Sequence, residues 1–189
     1  MSTLIELHAT AMGEFDRRVR DVGTDDWTRP TPCTEWTVRD LVGHLVTEQL
    51  WVPHLLGGAR VKDVGDRYDG DQLGDDPVAA WSAAAHAARE AWLAPAALAR
   101  TVHLSYGDVP GRTYLWEMTF DLAVHAWDLA TALGAPTRLD PVLASALRAW
   151  TDDRPPGPGA MFDAPVQVAD GADDTDRLVA LTGRRPRGR

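Results

Sequence analysis

Apolar residues recur along this chain at three- and four-residue steps, in blocks separated by proline- and glycine-rich breaks, and this spacing predicts helices. Thr3-Leu4-Ile5-Glu6 opens the first block as a capping box, a hydroxyl answered by a carboxylate three residues on, and the amphipathic run lasts to about Val22. Residues 23–32 are polar and carry two prolines, so they read as a loop. Thr37-Val38-Arg39-Asp40 starts a second helix that reaches about Leu56 and is stopped by Gly57-Gly58. Asp and Gly crowd residues 60–76, which read as a long connection. Asp76-Pro77 joins a capping carboxylate to a proline in the first turn, and an Ala-rich helix with Trp81 and Trp92 runs to about Ala94.

Residues 101–110 read as extended and turn-like. A fourth long helix is predicted over about 112–133, ended by Gly134, and Asp140-Pro141 opens a fifth that lasts to about Trp150. Pro155-Pro156-Gly157-Pro158-Gly159 excludes helix, and beyond it lie a short apolar stretch at 165–168 and a small helix over about 174–181. No internal repeat and no series of alternating strands appears. The pattern is that of an all-α protein, a helix bundle with a decorated C-terminus. It forms one domain over 1–189: a bundle over about 1–153, the Pro/Gly break at 155–159 and an appendage over 160–189.

A chain of 189 residues suits a single core. Eight Trp against three Phe and three Tyr place much of that core on indoles. The net charge of −9 argues against nucleic acid as a partner, since phosphate binding is dominated by cationic contacts. The basic ending Arg184-Arg185-Pro186-Arg187-Gly188-Arg189 is short and reads as a solvated tail. The N-terminus has no signal-peptide pattern, no apolar run approaches a membrane span, and Cys33 has no partner cysteine, which together lead us to expect a cytoplasmic protein that engages no membrane.

Chemistry enters on the fourth long helix. Leu115, Met118, Leu122, His125 and Leu129 draw one stripe, and Asp121 precedes His125 by a single turn on the same side. On the second helix Leu41, Leu45, Val52 and Leu55 mark the buried side, with His44 and Glu48 flanking it. Bringing the two helices together sets His44 opposite Asp121 and His125. Two imidazoles and one carboxylate are a donor set for a divalent ion that leaves positions open. The spacing alone equally allows His125 to be a core histidine whose tautomer Asp121 holds, with no metal. Glu48 reads first as a surface or half-buried structural residue, and beyond that as a candidate for the surrounding shell, for a fourth ligand or for a general base. Glu117 reads as solvated, and Cys33 as packed beside Trp36. Trp116 and Trp127 read as core residues, and His8, His54, His86 and His103 as surface or structural positions.

The segments 32–45 (PCTEWTVRDLVGHL) and 121–130 (DLAVHAWDLA) resemble the DinB-like metal-binding bundles, in particular the actinobacterial branch related to mycothiol-dependent maleylpyruvate isomerase. The ending 176–186 (DRLVALTGRRP) is similar to the tail of short members of that branch. The resemblance implies an up-down-up-down four-helix bundle, here with an extra C-terminal helix and short tail. It implies a divalent ion, zinc above all with nickel or another ion as alternatives, held by His44, Asp121 and His125. It also implies mycothiol or another small thiol as cosubstrate, and an S-transferase or isomerase acting on a small electrophilic substrate. A non-catalytic metal-binding bundle serving as a sensor, stress-related or interaction module is the alternative. Related bundles pair through helix faces, so a homodimer is expected. This chain departs from the isomerase pattern in carrying Asp121 where that pattern has Glu, and in having only the appendage 160–189 where the isomerase has a further domain.

Overall fold

A computed structural model of the chain describes residues 2–152 and 162–186. The helices are α1 (Leu4–Arg20), α2 (Val38–Leu56), α3 (Val61–Val64), α4 (Pro77–Leu93), α5 (Gly111–Leu133), α6 (Pro141–Asp152) and α7 (Asp174–Ala180), with one hairpin of β1 (Thr101–Leu104) and β2 (Gly107–Pro110). Local chemistry sets the starts. Thr3 and Thr37 each form a complete capping box, with Glu6 and Asp40, and the Asp76 carboxylate accepts from the Ala79 N–H ahead of Pro77. Gly134, at φ 70°, ends α5 in the left-handed conformation glycine adopts without penalty.

α1 lies chiefly against α5 and α2 chiefly against α4, and α2–α5 and α1–α4 contacts close the square of an all-α, DinB-like bundle. Residues 101–110, extended and turn-like by sequence, pair as an antiparallel hairpin in register Thr101↔Pro110 to Leu104↔Gly107. The long connection contains the single-turn helix α3. The Pro/Gly break at 155–159 and the last three residues of the basic tail lie outside the described residues.

One apolar cluster joins Phe15 of α1, Leu41 and Leu45 of α2, Trp81 of α4 and Leu122 and Leu129 of α5 with Leu143 and Leu147 of α6 and Leu178 of α7. A second, at the other end of the bundle, joins Leu4, Val52, Leu55, Trp92, Leu115 and Met118. Each such side chain contributes about 1.5–3 kcal/mol when fully withdrawn from water. α5 is buried along most of its length. From Met118 to its end its ionisable groups are Asp121, His125 and Asp128, and groups so placed must find partners.

Candidate metal centre

The three groups converge as the spacing predicts. His44 from α2 and Asp121 and His125 from α5 each offer a ligand atom, and these atoms all lie within 4.8 Å of one another. The Asp121 carboxylate sits between the imidazoles, with Oδ2 3.4 Å from His44 Nε2 and Oδ1 3.3 Å from His125 Nε2. His125 is buried (side chain 5% exposed), whereas His44 and Asp121 reach the surface at 28% and 21%. The cluster therefore has a closed inner end at His125 and an open outer end at His44.

Trp36 covers it from the loop before α2. The indole lies 4.9 Å from the His44 ring and stacks on His125 at 5.8 Å, centroid to centroid. The loop is tied by Thr31, whose N–H and hydroxyl both donate to the Trp36 carbonyl. Glu35 adopts φ 69° just before the indole, a conformation that costs a non-glycine residue about 1–2 kcal/mol and that the surrounding turn enforces.

Burial opposes ionisation of Asp121, but the two imidazoles outweigh it and hold its carboxyl far below the usual carboxylate range. Burial pulls His125 down, and Asp121 together with Asp128 reverses this and lifts it to about 9. Despite these neighbours, Asp121 Oδ2 is buried and makes no hydrogen bond. A carboxylate with an imidazole nitrogen facing each oxygen, and one of those oxygens buried without a hydrogen bond, is a donor set that a divalent cation suits.

Asp128 is the residue of this cluster that periodicity misses. Fully buried, it accepts from His125 Nδ1 through Oδ2 at 3.0 Å, and the same oxygen takes Arg184 Nη2 at 2.8 Å while Oδ1 takes Arg184 Nε at 3.2 Å. Asp128, not Asp121, therefore takes the Nδ1 side of the imidazole, and Nε2 faces His44 and Asp121. Its signal is the spacing His-x2-Asp on a buried face, directly beside the Asp-x3-His pair that draws attention first. Arg184 corrects the reading of the ending as a solvated tail. It is 7% exposed, and its guanidinium also donates to the Thr182 carbonyl, while Arg185 is exposed as expected.

Glu48 lies outside the converging triad but near it. Burial and the Asp121 charge push its carboxyl up, and His44 and His125 oppose them. Glu117, expected to be solvated, is half-buried and accepts from the Tyr106 hydroxyl of the hairpin at 2.5 Å. Burial pushes the Cys33 thiol up, with Arg184 opposing and Asp128 and Asp121 adding to the rise, so the thiol borders the cluster without being activated by it. His54 pairs with Tyr68, His103 with Asp108 and His8 with Thr119. His86 is exposed. Trp127 is buried, and Trp116, half-buried, stacks on Trp150.

Residues 8–130 match the family model of the mycothiol maleylpyruvate isomerase N-terminal domain. Two uncharacterised proteins of Mycobacterium tuberculosis, from strains CDC 1551 and H37Rv, are each 36% identical, with 95% of this chain and 97% of the relative aligned. Among solved structures, a mycothiol-dependent maleylpyruvate isomerase superposes with a TM-score of 0.60 at 17% identity, covering 81% of this chain and 75% of its own, and a histidine-to-alanine mutant of it superposes with 0.59. At that identity the superposition speaks for the fold.

Proposed function

This chain belongs to the family of mycothiol maleylpyruvate isomerase N-terminal domains, and from that premise we propose that it binds one divalent cation through His44, Asp121 and His125 and brings a small thiol to a small electrophile there. Zinc is the first candidate, because two imidazoles and one carboxylate with open positions suit it without further protein ligands. The observation that carries this reading is the Asp121 carboxylate set between two imidazole Nε2 atoms, one facing each oxygen, with the buried Oδ2 making no hydrogen bond. When bound, zinc favours the thiolate form of a coordinated thiol and so supplies a nucleophile at neutral pH.

The chain's own groups divide the remaining work. His125 anchors the inner end, oriented by Asp128. His44 stands at the rim, where a thiol and its electrophile arrive from solvent. Trp36 walls one side with an apolar face that excludes water from the inner end. Mycothiol is the thiol the family name suggests, and an S-transferase or isomerase is the reaction class. A metal-holding bundle without catalysis is the competing reading, favoured by one feature: Glu48 is close enough to the triad to act on it electrostatically, and its carboxylate is of the type that closes a zinc shell.

Elemental analysis and turnover decide between them. The parent protein is expected to carry close to one zinc per chain, and His44→Ala and His125→Ala to lose it while keeping their helical circular dichroism. Equal metal content in parent and variants rejects the assignment. Thiol consumption against a panel of small electrophiles, in metal-loaded and chelated protein, separates enzyme from module: retained metal without metal-dependent turnover selects the module.

A further inference from the structure

We propose that Arg184 is a positioning residue for the metal centre: acting through Asp128, it holds the His125 imidazole with Nδ1–H engaged and Nε2 turned to the ion, so the C-terminal segment is a working part of the site. The inference deepens the metal-binding reading and rests on it for its affinity arm only.

Three observations carry it. The Asp128 oxygen that accepts from His125 Nδ1 is the same oxygen that accepts from Arg184 Nη2, so moving the guanidinium moves the acceptor of the imidazole. The arginine grips the carboxylate with two nitrogens, Nε on Oδ1 and Nη2 on Oδ2, a fork that fixes the plane of the carboxylate as well as its place. And the guanidinium is itself oriented, by the Thr182 carbonyl at 3.0 Å and by the Phe162 ring at 5.8 Å.

Tail anchoring alone does not account for this arrangement. Both partners are buried, and apolar side chains of similar size dock a segment at least as well as a buried ion pair, because taking two charges out of water offsets their attraction. What apolar side chains cannot do is place a hydrogen-bond acceptor at a ligand imidazole. Such outer partners hold tautomer and ring orientation, and removing them typically costs roughly 10- to 100-fold in metal affinity.

The test uses the full chain with Arg184→Met, Arg184→Lys and Asp128→Asn, and two readouts. Zinc affinity is measured by competition with a chromophoric chelator. The His125 Nδ1–H resonance is followed by nitrogen-15-edited NMR in metal-free protein. Arg184→Met is expected to weaken zinc binding by about tenfold or more and to shift or abolish the Nδ1–H signal, with Arg184→Lys recovering part of both. Asp128→Asn keeps the shape and one accepting oxygen, so it reports on the site should Arg184→Met fail to fold. It is expected to weaken zinc binding and to move the same resonance. Zinc affinity within about twofold of the parent and an unmoved Nδ1–H signal in folded variants overturn the proposal and leave Arg184 as an anchor of the tail. If the parent takes up no zinc, the metal reading fails by itself, and the NMR arm still decides whether Arg184 positions the imidazole.

Discussion

His8 and His125 are both buried imidazoles on bundle helices, and their surroundings drive them in opposite directions. His8 Nδ1 meets the Thr119 hydroxyl, which itself donates to the Leu115 carbonyl, so the ring has a hydrogen bond, and among the described residues no carboxylate offsets its burial. Burial, with a smaller push from Arg89, lowers it to about 3. Between pH 6.5 and about 3 the unfolded chain therefore carries a proton at His8 that the folded chain refuses. Stability is then full above pH 6.5 and falls as the solution is acidified, by about 1.4 kcal/mol for each pH unit traversed. His8→Leu is expected to flatten that slope in urea titrations at successive pH values, and an unchanged slope excludes His8 as its source. His125 has the opposite sign, its contribution being full below 6.5 and lost as pH rises through about 9. In metal-free protein it thus holds a proton at pH 7 that an ion on Nε2 must displace. Calorimetry in buffers of differing ionisation enthalpy is expected to show about one proton released per zinc bound; no release at about pH 7 contradicts the role given to His125. Asp121 and His125 are legible as a pair because residues four apart share a helix face, although that spacing fits a core histidine as well as a ligand. His44, on another helix, joins them in the sequence only through the family resemblance. Asp128 and Arg184 are not legible, because they are joined over 56 residues and the arginine stands in a run whose composition resembles any solvated tail.

Among the elements, those announced by side-chain chemistry at their ends are readable from sequence and those held by neighbours are not. The capping boxes at Thr3 and Thr37 and the Asp76-Pro77 start set α1, α2 and α4 within a few residues. The hairpin β1–β2 does not announce itself as strands, since each is four residues long and the turn Ser105-Tyr106 lacks the Asn-Gly or Asp-Gly pair that signals one. The approach of the tail to the bundle depends on Gly183, which no periodicity reveals. Its φ is +80°, and a Cβ there stands 2.4 Å from the Asp163 Cβ. Gly183→Ala combines left-handed strain with overlap and is expected to lower stability by roughly 2 kcal/mol and to weaken zinc binding in the direction predicted for Arg184→Met. Gly13 is the control from the opposite case: it lies exposed inside α1, and a Cβ added to it meets nothing within 4 Å, so Gly13→Ala is expected to stabilise by about 1 kcal/mol. Urea midpoints of the two variants moving the same way refute this account of the two positions.

At the scale of the molecule the question is whether the segment beyond residue 162 is an attachment or part of the fold. Leu178 of α7 is fully buried in the same cluster as Phe15 and Leu45, so the C-terminal helix shares the core of the bundle. Two further ties run on from the four-helix square to α7: Arg18 of α1 reaches the carbonyls of Pro136 and Arg138 just after α5, and in that same segment the Leu139 N–H reaches the Thr175 hydroxyl of α7. Each crosses more than thirty residues of chain, which is why composition alone suggests a decoration: a division drawn at a Pro/Gly break carries no information about the segments that return to the core after it. Shared apolar burial and a buried ion pair make partial unfolding of the tail expose both Leu178 and the Asp128 charge, and that couples the tail to the bundle. Urea unfolding followed by far-ultraviolet circular dichroism and by tryptophan fluorescence is therefore expected to give coincident single transitions. A divalent ion that bridges α2 and α5 binds only the folded chain, so zinc at about 100 times its dissociation constant moves that one transition by about 2.7 kcal/mol without splitting it. An early step that releases the tail while the helical signal and the zinc response persist would show instead that the bundle holds its site alone, and would remove the structural basis for assigning Arg184 a part in it.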